Sequence, residues 1–328
     1  MYHRDMKKKL LIIIVVILLL IIWFIWSTAN KKEVPTPIET PPVTITPIPT
    51  IESNLLSIDW FINDLDLPKQ VAVIKKESGQ INDELVEKVA KYFGFEDQPA
   101  LKELNLTMYK TADLKSSMDV NKDTNIIKYN KNLLLFPIEK TGSVMSNEEM
   151  KDKLNDLIKS VFELNQVDLR FDEINYQEIY GPRYILSNKE EATIVEIKAV
   201  YLINNYPIFS QNGYPVIVKF TRDGVLVNLA INWPGKLYST ETFKKIKSFD
   251  KIKNTKGSEF KIISVDGDKY FDMSQEDEVV KKTEITEGYF GFLNSPQKLE
   301  LEPSVFLEGK SNLDTGPVSV MLTLLVSE

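Results

Sequence analysis

The side chains that most often carry out catalysis are nearly absent from this sequence. Its only histidine is His3, and it contains no cysteine. Nucleophilic catalysis by a histidine-activated serine or by a thiolate is therefore excluded for residues 30–328, as are the usual zinc, copper and haem ligand sets. No glycine-rich phosphate loop is present. What remains is the chemistry of carboxylates, of serine–lysine pairs and of hard metal ions.

Serine–lysine pairs and paired carboxylates give only weak catalytic patterns. Penicillin-binding enzymes place Ser-x-x-Lys before Lys-Thr-Gly, whereas here every Ser-x-x-Lys match follows Lys140-Thr141-Gly142 and Ser-Asp-Asn is missing. A glycosidase needs two positioned carboxylates, but no pair stands out among 47 acidic residues. We therefore assign no catalytic residue. The three matches are Ser248/Lys251, Ser258/Lys261 and Ser295/Lys298.

One segment alternates oxygen-bearing side chains in the manner of a calcium loop. The position of the turn glycine is taken by Thr124, and Asn130 stands where a bidentate glutamate belongs. A polar hairpin loop is the favoured interpretation, with weak calcium binding as the alternative. We expect no resident metal or cofactor. The alternating residues are Asp119, Asn121, Asp123 and Asn125.

Aromatic residues concentrate around a central pair of strands. On one sheet face they would form a groove for a peptide or glycan, because they supply contact area at low entropic cost. The competing interpretation is that they fill the core and the strand edges. The predicted partner-binding residues are Tyr201, Tyr206, Tyr214, Trp233 and Tyr238.

Hydrophobic periodicity predicts the helices and strands that position these residues. One helix is expected over 82–93 and ends at Gly94, and a second begins at Ser146 with a capping box to Glu149. A third starts near Ser239 and carries Phe243, Ile246 and Phe249. Asp223-Gly224 joins a predicted hairpin of strands 214–221 and 225–233. Other predicted strands cover 104–109, 125–129, 133–137, 193–201, 260–265, 284–292 and 318–326.

The first thirty residues contain a charge-free apolar run. Residues 10–29 are long enough to cross a bilayer, and the basic residues of 1–9 indicate a cytoplasmic N-terminus with an extracytoplasmic C-terminal region. Ser27-Thr28-Ala29 also resembles the cleavage site of a signal peptide, which is the alternative. The sequence thus predicts a single-pass protein of the cell membrane, whose first partner is the lipid bilayer through 10–29.

A proline- and threonine-rich segment follows over 30–52. Such a linker either extends as polyproline II or is disordered. The chain has a net charge of −7, and an acidic surface argues against nucleic acid as a partner. The absence of cysteine excludes stabilising disulfides. We divide the remainder into an α+β module over 53–143, a central α+β module over 144–253 and a β-rich segment over 254–328.

The layout over 147–328 resembles the YycH/YycI type of bacterial membrane-anchored regulator, with PepSY-like modules. The residues concerned are the hairpin region from Tyr206-Pro207 to Trp233, the closing segment 286–308, and Glu302-Pro303-Ser304-Val305-Phe306 within it. The resemblance implies a binding or regulatory role, in some members through contact of the membrane helix with a sensor kinase. The apolar run lacks a small-xxx-small motif, and no site residue carries over.

The predicted fold class is α+β, with an N-terminal transmembrane helix followed by repeated helix plus antiparallel-sheet modules. The leading functional hypothesis is an extracytoplasmic interaction or regulatory module without catalytic activity. It would bind another envelope or membrane protein through a sheet face or edge. A carboxylate-dependent cell-envelope hydrolase or glycan-binding protein is the alternative, and a purely structural envelope protein is a third hypothesis.

Overall fold

The computed structural model describes residues 57–77, 79–95, 99–133, 135, 143–180, 183–267, 282–313 and 316–328. All of them belong to one compact unit, Thr46–Glu328. The helices are α1 (Asp83–Tyr92), α2 (Asn147–Ser160) and α3 (Phe249–Lys253), with a short 3-10 turn at Gly257–Glu259. The strands are β1 (Ser57–Trp60), β2 (Gln70–Lys76), β3 (Leu101–Lys102), β4 (Leu106–Lys110), β5 (Ser116–Asn121), β6 (Ile126–Lys131), β7 (Asp168–Tyr180), β8 (Arg183–Leu186), β9 (Ile194–Ile203), β10 (Tyr206–Ser210), β11 (Val216–Thr221), β12 (Leu226–Asn232), β13 (Leu237–Lys245), β14 (Lys261–Gly267), β15 (Lys282–Asn294), β16 (Glu302–Leu313) and β17 (Gly316–Leu325).

The fold is mostly β, so the predicted α+β class is wrong. Strands account for 52% of the structure and helices for 14%. The strands do not form separate helix-plus-sheet repeats. Strands from 53–143, 144–253 and 254–328 all belong to one sheet. The boundaries proposed between these three segments stay a prediction.

That large sheet has 15 strands and branches at β9. Along one side β9 pairs with β7, and along the other it pairs with β11 and then β10. Most pairs are antiparallel, but β1 and β10 each run parallel to β15. The path through the sheet is β14-β17-β16-β15-β10-β9-β11-β12-β6-β5-β4-β3. A separate two-stranded sheet consists of β2 and β13.

Helices α1 and α2 begin where the sequence predicts. Asn82 caps α1 by accepting a hydrogen bond from the Leu85 N–H, and Ser146 forms a capping box with Glu149 at the start of α2. Each cap satisfies backbone donors that the first helical turn leaves free. The helices bury one apolar face each against the sheet, and those faces comprise Leu85, Val86, Val89 and Ala90 of α1 and Met150, Leu154, Leu157 and Ile158 of α2.

The two faces of β9 have different environments, because successive side chains of a strand point to opposite sides. Ile197, Ala199 and Tyr201 lie in the main core beneath the helices, whereas Val200 belongs to a smaller apolar cluster on the opposite face. Further along that opposite face, polar residues of six strands stand in register: Asn175, Glu196, Lys219, Asn228, Asn130 and Ser117. The Lys219 ammonium lies 2.9 Å from Glu196, so these two opposite charges are paired on this polar face.

The third predicted helix is wrong, because residues from Leu237 to Lys245 form β13. Its apolar residues Phe243, Ile246 and Phe249 recur every third residue, which imitates a helical face. In the structure Phe243 is exposed, whereas the other two are buried. The spacing therefore does not describe one face, and helix α3 begins only at Phe249.

The predicted single-pass membrane location also needs correction. The tail 1–9, the predicted spanning helix 10–29 and the linker 30–52 lie outside the described residues. Within the described residues no helix is long and apolar enough to cross a membrane. The longest, α2, has 14 residues and extends about 21 Å, short of the ~30 Å core of a bilayer. The structure therefore does not support the predicted membrane-anchored, extracytoplasmic location.

Candidate functional site

Two of the five predicted partner-binding residues lie in the core. Tyr201 is fully buried, and burial raises the pKa of its hydroxyl well above the ordinary value. Trp233 is 4% exposed, and its indole N–H donates to the Phe162 carbonyl at 3.3 Å. Tyr201 and Trp233 therefore fill the core, as the competing interpretation expects.

The other three predicted residues have three different environments. Tyr206 is half-buried and packs edge-on against Phe290, with ring centroids 4.9 Å apart. Tyr214 lies on the polar sheet face, where burial and then nearby carboxylates raise its pKa. Tyr238 is 46% exposed on β13, in the separate two-stranded sheet. The structure does not gather the five aromatics on one face, and of these residues Tyr238 is the most accessible.

Residues of two Ser-x-x-Lys matches form structural contacts with other side chains. Lys251 forms an ion pair with Glu328, and Lys298 with Glu302. The Ser295 hydroxyl donates to the Glu302 carboxylate at 2.8 Å. Lys140-Thr141-Gly142 lies outside the described residues. Among the residues that are described, these side chains form structural ion pairs and hydrogen bonds.

The calcium-like segment forms the β5–β6 hairpin and its turn. The Asn121 side-chain oxygen accepts hydrogen bonds from the Asp123 and Thr124 N–H groups at 3.0 and 3.1 Å. The Asn125 side-chain oxygen accepts from the Ile81 N–H at 3.1 Å. Both oxygens are therefore committed to backbone donors, and this geometry is that of a polar hairpin turn.

Strand β13 is the most accessible strand edge near a predicted site residue. Its burial pattern is mostly exposed along its length, and it pairs with β2 on one side only within the described part of the chain. Two large side chains project from it, Tyr238 at 46% and Phe243 at 57% exposure. An unpaired strand edge with exposed aromatics is a ready-made template for another extended segment.

The hydrogen-bond register shows which backbone groups of β13 are free. The Glu77 N–H donates to the Lys236 carbonyl at 2.9 Å, and the pairing continues at Tyr238 opposite Lys75. Since backbone groups of successive strand residues point to opposite sides, the N–H and C=O of Leu237 and Ser239 face away from β2.

The same alternation holds beyond a bulge in β13. The Ile246 N–H donates to the Lys69 carbonyl at 3.1 Å, so the backbone groups of Phe243 point outward. Within the bulge the Thr242 N–H is satisfied by the Thr240 hydroxyl at 3.2 Å. The outward donors are therefore those of Leu237, Ser239 and Phe243. Because Leu237 is only 6% exposed, the accessible donors are those of Ser239 and Phe243.

Residues Val326–Glu328 already pair with the part of this edge that lies beyond Phe243. The Glu328 N–H donates to the Lys245 carbonyl and the Lys247 N–H to the Val326 carbonyl, both at 2.9 Å. Ser327 bridges Ile246 in antiparallel orientation. The outer edge of this segment thus accepts an extended, antiparallel backbone, and the free portion continues from there towards Leu237.

A buried lysine fixes the sheet that carries β13. The Lys76 ammonium on β2 is 3% exposed and donates to the Ser295 carbonyl at 2.7 Å. Burial lowers its pKa to about 8, a change that the neighbouring Glu302 partly opposes. On the exposed side, Lys244 of β13 binds Glu300 at 3.0 Å. These contacts attach β2 and β13 to the connection between β15 and β16 and hold the edge in a fixed position.

The edge was missed at the level of sequence because its residues were assigned to a helix. Thr240 and Thr242 are β-branched, and Tyr238 and Phe243 are aromatic, which is the composition that favours strands. This composition is the feature of the sequence that indicates a strand. The accessibility of the edge depends on the pairing with β2, which is more than 160 residues earlier in the chain.

No protein-family model matches the chain, and no curated protein resembles it at a significant level. The resemblance to the YycH/YycI type stays a prediction.

Proposed function

We propose that this protein is a non-catalytic binding module that adds an extended segment of a partner to the outer edge of β13. The observation that carries the proposal is the free backbone edge at Ser239 and Phe243, next to a stretch where the chain already pairs its own residues Val326–Glu328 in the same way.

Main-chain hydrogen bonds would supply the affinity of this mode, and side-chain contacts its selectivity. The outward donors of Ser239 and Phe243 define where the partner backbone lies. The rings of Tyr238 and Phe243 offer rigid apolar contact area beside it. Aromatic residues of this kind provide binding energy at low entropic cost.

A binding role is also what the YycH/YycI-type resemblance implies. The alternatives are a carboxylate-dependent hydrolase and a glycan-binding protein. Several acidic side chains of the described residues are engaged by lysines, such as Glu163, Glu196, Glu300 and Glu302.

Ser239→Pro tests the proposal at the backbone. Proline removes the outward N–H of residue 239 but no hydrogen bond to β2, a position where edge strands tolerate it. The probe is a library of random-sequence octapeptides selected on the full-length protein. We expect selected peptides to bind Ser239→Pro at least tenfold more weakly than the wild type, about 1.4 kcal/mol, as measured by fluorescence anisotropy.

Ser239→Ala is the matched control, because it removes the hydroxyl and keeps the N–H. It should bind as the wild type does, and thermal unfolding should show that both variants fold. Peptides that bind Ser239→Pro with wild-type affinity, or a selection that enriches no peptide, would contradict the proposal.

A further inference from the structure

A polar cleft adjoins the start of β13. It has a volume of about 450 Å³ and lies between α1, the end of α2 and the residues that lead into β13. Its charged lining consists of three lysines, Lys88, Lys159 and Lys236, and two carboxylates, Glu77 and Glu163, and the amides Asn165 and Gln166 also line it. In a chain with a net charge of −7, this concentration of hydrogen-bond donors is a local departure from the acidic surface.

Two of these lysines already hold a carboxylate. Glu163 accepts from Lys88 at 2.7 Å and from Lys236 at 2.9 Å, which lowers the pKa of its carboxyl group. Glu163 has a φ of 59°, a left-handed conformation that a non-glycine residue adopts at a cost. The backbone directly after α2 is therefore held in a strained form that brings an anion to the lysines.

Lys159 is the third cation of the cleft, and its present contact is loose. Its ammonium lies 3.4 Å from Asp168, whose side chain is 81% exposed. An ion pair so open to water contributes little free energy. Lys159 is therefore free to bind a second anion that enters beside Glu163.

The cleft and the strand edge are continuous. Lys236 and Leu237 line the cleft, and Leu237 is also the first residue of β13. A partner that pairs antiparallel with β13, as Val326–Glu328 does, runs from the Phe243 end towards Leu237. Its C-terminal end therefore arrives at the lysines, whereas a parallel partner would bring an amino terminus, which the lysines repel.

We infer that the partner segment ends in a free α-carboxylate and that this carboxylate lies in the cleft among Lys88, Lys159 and Lys236. The inference rests on the proposed strand addition at β13 and names the class of partner: an extended chain terminus rather than an internal segment. Capture of a terminal carboxylate by a polar recess is a known mode of peptide recognition, and charge-assisted hydrogen bonds are its strongest contacts.

The test compares two forms of each octapeptide selected on the full-length protein, one with a free C-terminal carboxylate and one with a C-terminal amide. We expect the free acid to bind at least fivefold more tightly, and we expect this preference to weaken as salt is raised, because the lysines are partly exposed. Equal affinity of the two forms would overturn the inference.

The variant Lys159→Gln tests whether the terminal carboxylate binds in the cleft. It should reduce the preference for the acid by about threefold, the size of an exposed ion pair. Lys151→Gln is the matched control on the same helix outside the cleft, and should leave the preference unchanged.

Glu163→Gln removes the competing internal carboxylate, so free-acid peptides should bind it more tightly than they bind the wild type. Unchanged or weaker binding to Glu163→Gln would contradict the assignment.

The two proposals fail in different ways. If acid and amide bind equally and both lose affinity to Ser239→Pro, the strand addition stands and the terminal carboxylate is wrong. If the acid is preferred but Ser239→Pro has no effect, the proposed use of β13 is wrong, and with it the antiparallel placement of the terminus.

Discussion

Lys76 shows at the scale of one residue how the site is held in place. A buried ammonium is costly unless it is paired and hydrogen-bonded. Lys76 is bonded to the Ser295 carbonyl, and Glu302 favours its charged form, yet burial still lowers its pKa to about 8. The contact that attaches β2 to the large sheet is therefore sensitive to pH in the alkaline range.

The lowered pKa of Lys76 predicts a specific dependence of stability on pH. From about pH 8 up to the ordinary lysine value of 10.5, the unfolded chain keeps a proton that the folded chain has released. Stability attributable to this group therefore rises with pH across that window and is lowest below pH 8. Relative to Lys76→Met, the wild type should gain about 2 kcal/mol between pH 8 and 10, as measured by urea unfolding.

Lys75→Met provides the control for this measurement. Its side chain is 44% exposed, so the variant should follow the wild-type pH dependence. A constant difference between wild type and Lys76→Met across the window would show that the buried ammonium does not have the lowered pKa.

Some helices and strands can be predicted from the local sequence pattern, and others cannot. The helix over 82–93, the helix from Ser146 and the Asp223-Gly224 hairpin are confirmed. In each, capping residues, an apolar period or a turn glycine act within a few positions. Strand β13 was misassigned because a three-residue apolar spacing outweighed two β-branched residues, and only its partner β2 determines that it is a strand.

The pairing of β15 with β16 depends on one glycine. A Cβ at Gly309 would lie 2.3 Å from the Glu284 carbonyl oxygen, a backbone atom of the neighbouring strand. That contact cannot be relieved by a side-chain rotation, so the strands must separate locally. Gly309→Ala should therefore lower the free energy of unfolding by about 2 kcal/mol, as measured by chemical denaturation.

Gly79→Ala is the comparison, because a Cβ there meets its nearest atom, in the Leu299 side chain, at an ordinary 3.4 Å. We expect a change within about 0.5 kcal/mol for this variant. Equal effects of the two substitutions would show that β15 and β16 do not approach as closely as described.

At the scale of the whole molecule, the sheet is built from pairings that no local pattern reveals. Residue 228 pairs with residue 130, and residue 208 with residue 292. Because these contacts join distant parts of the chain, the sequence suggests separate helix-plus-sheet modules, whereas the structure joins their strands in one sheet. The candidate site was partly predictable: Tyr238 was singled out from its residue type, but the free edge beside it results from the complete topology.

The whole-molecule arrangement also explains why β13, rather than the broad polar sheet face, is the surface we assign to a partner. That face carries ion pairs such as Lys198 with Glu173 at 2.9 Å, and a partner would have to displace these pairs to bind there. At β13 the outward backbone groups are free to bind without such displacement.

Residue-resolved amide hydrogen exchange, measured by NMR on the full-length protein with and without a selected peptide, tests the central claim most directly. In the free protein the Ser239 and Phe243 amides should exchange rapidly, while the Tyr238 amide, bonded within the β2–β13 pair, should be protected. Addition of the peptide should slow exchange at Ser239 and Phe243. If these two amides are already protected in the free protein, or if the peptide protects another surface and leaves them unchanged, β13 is not the binding edge.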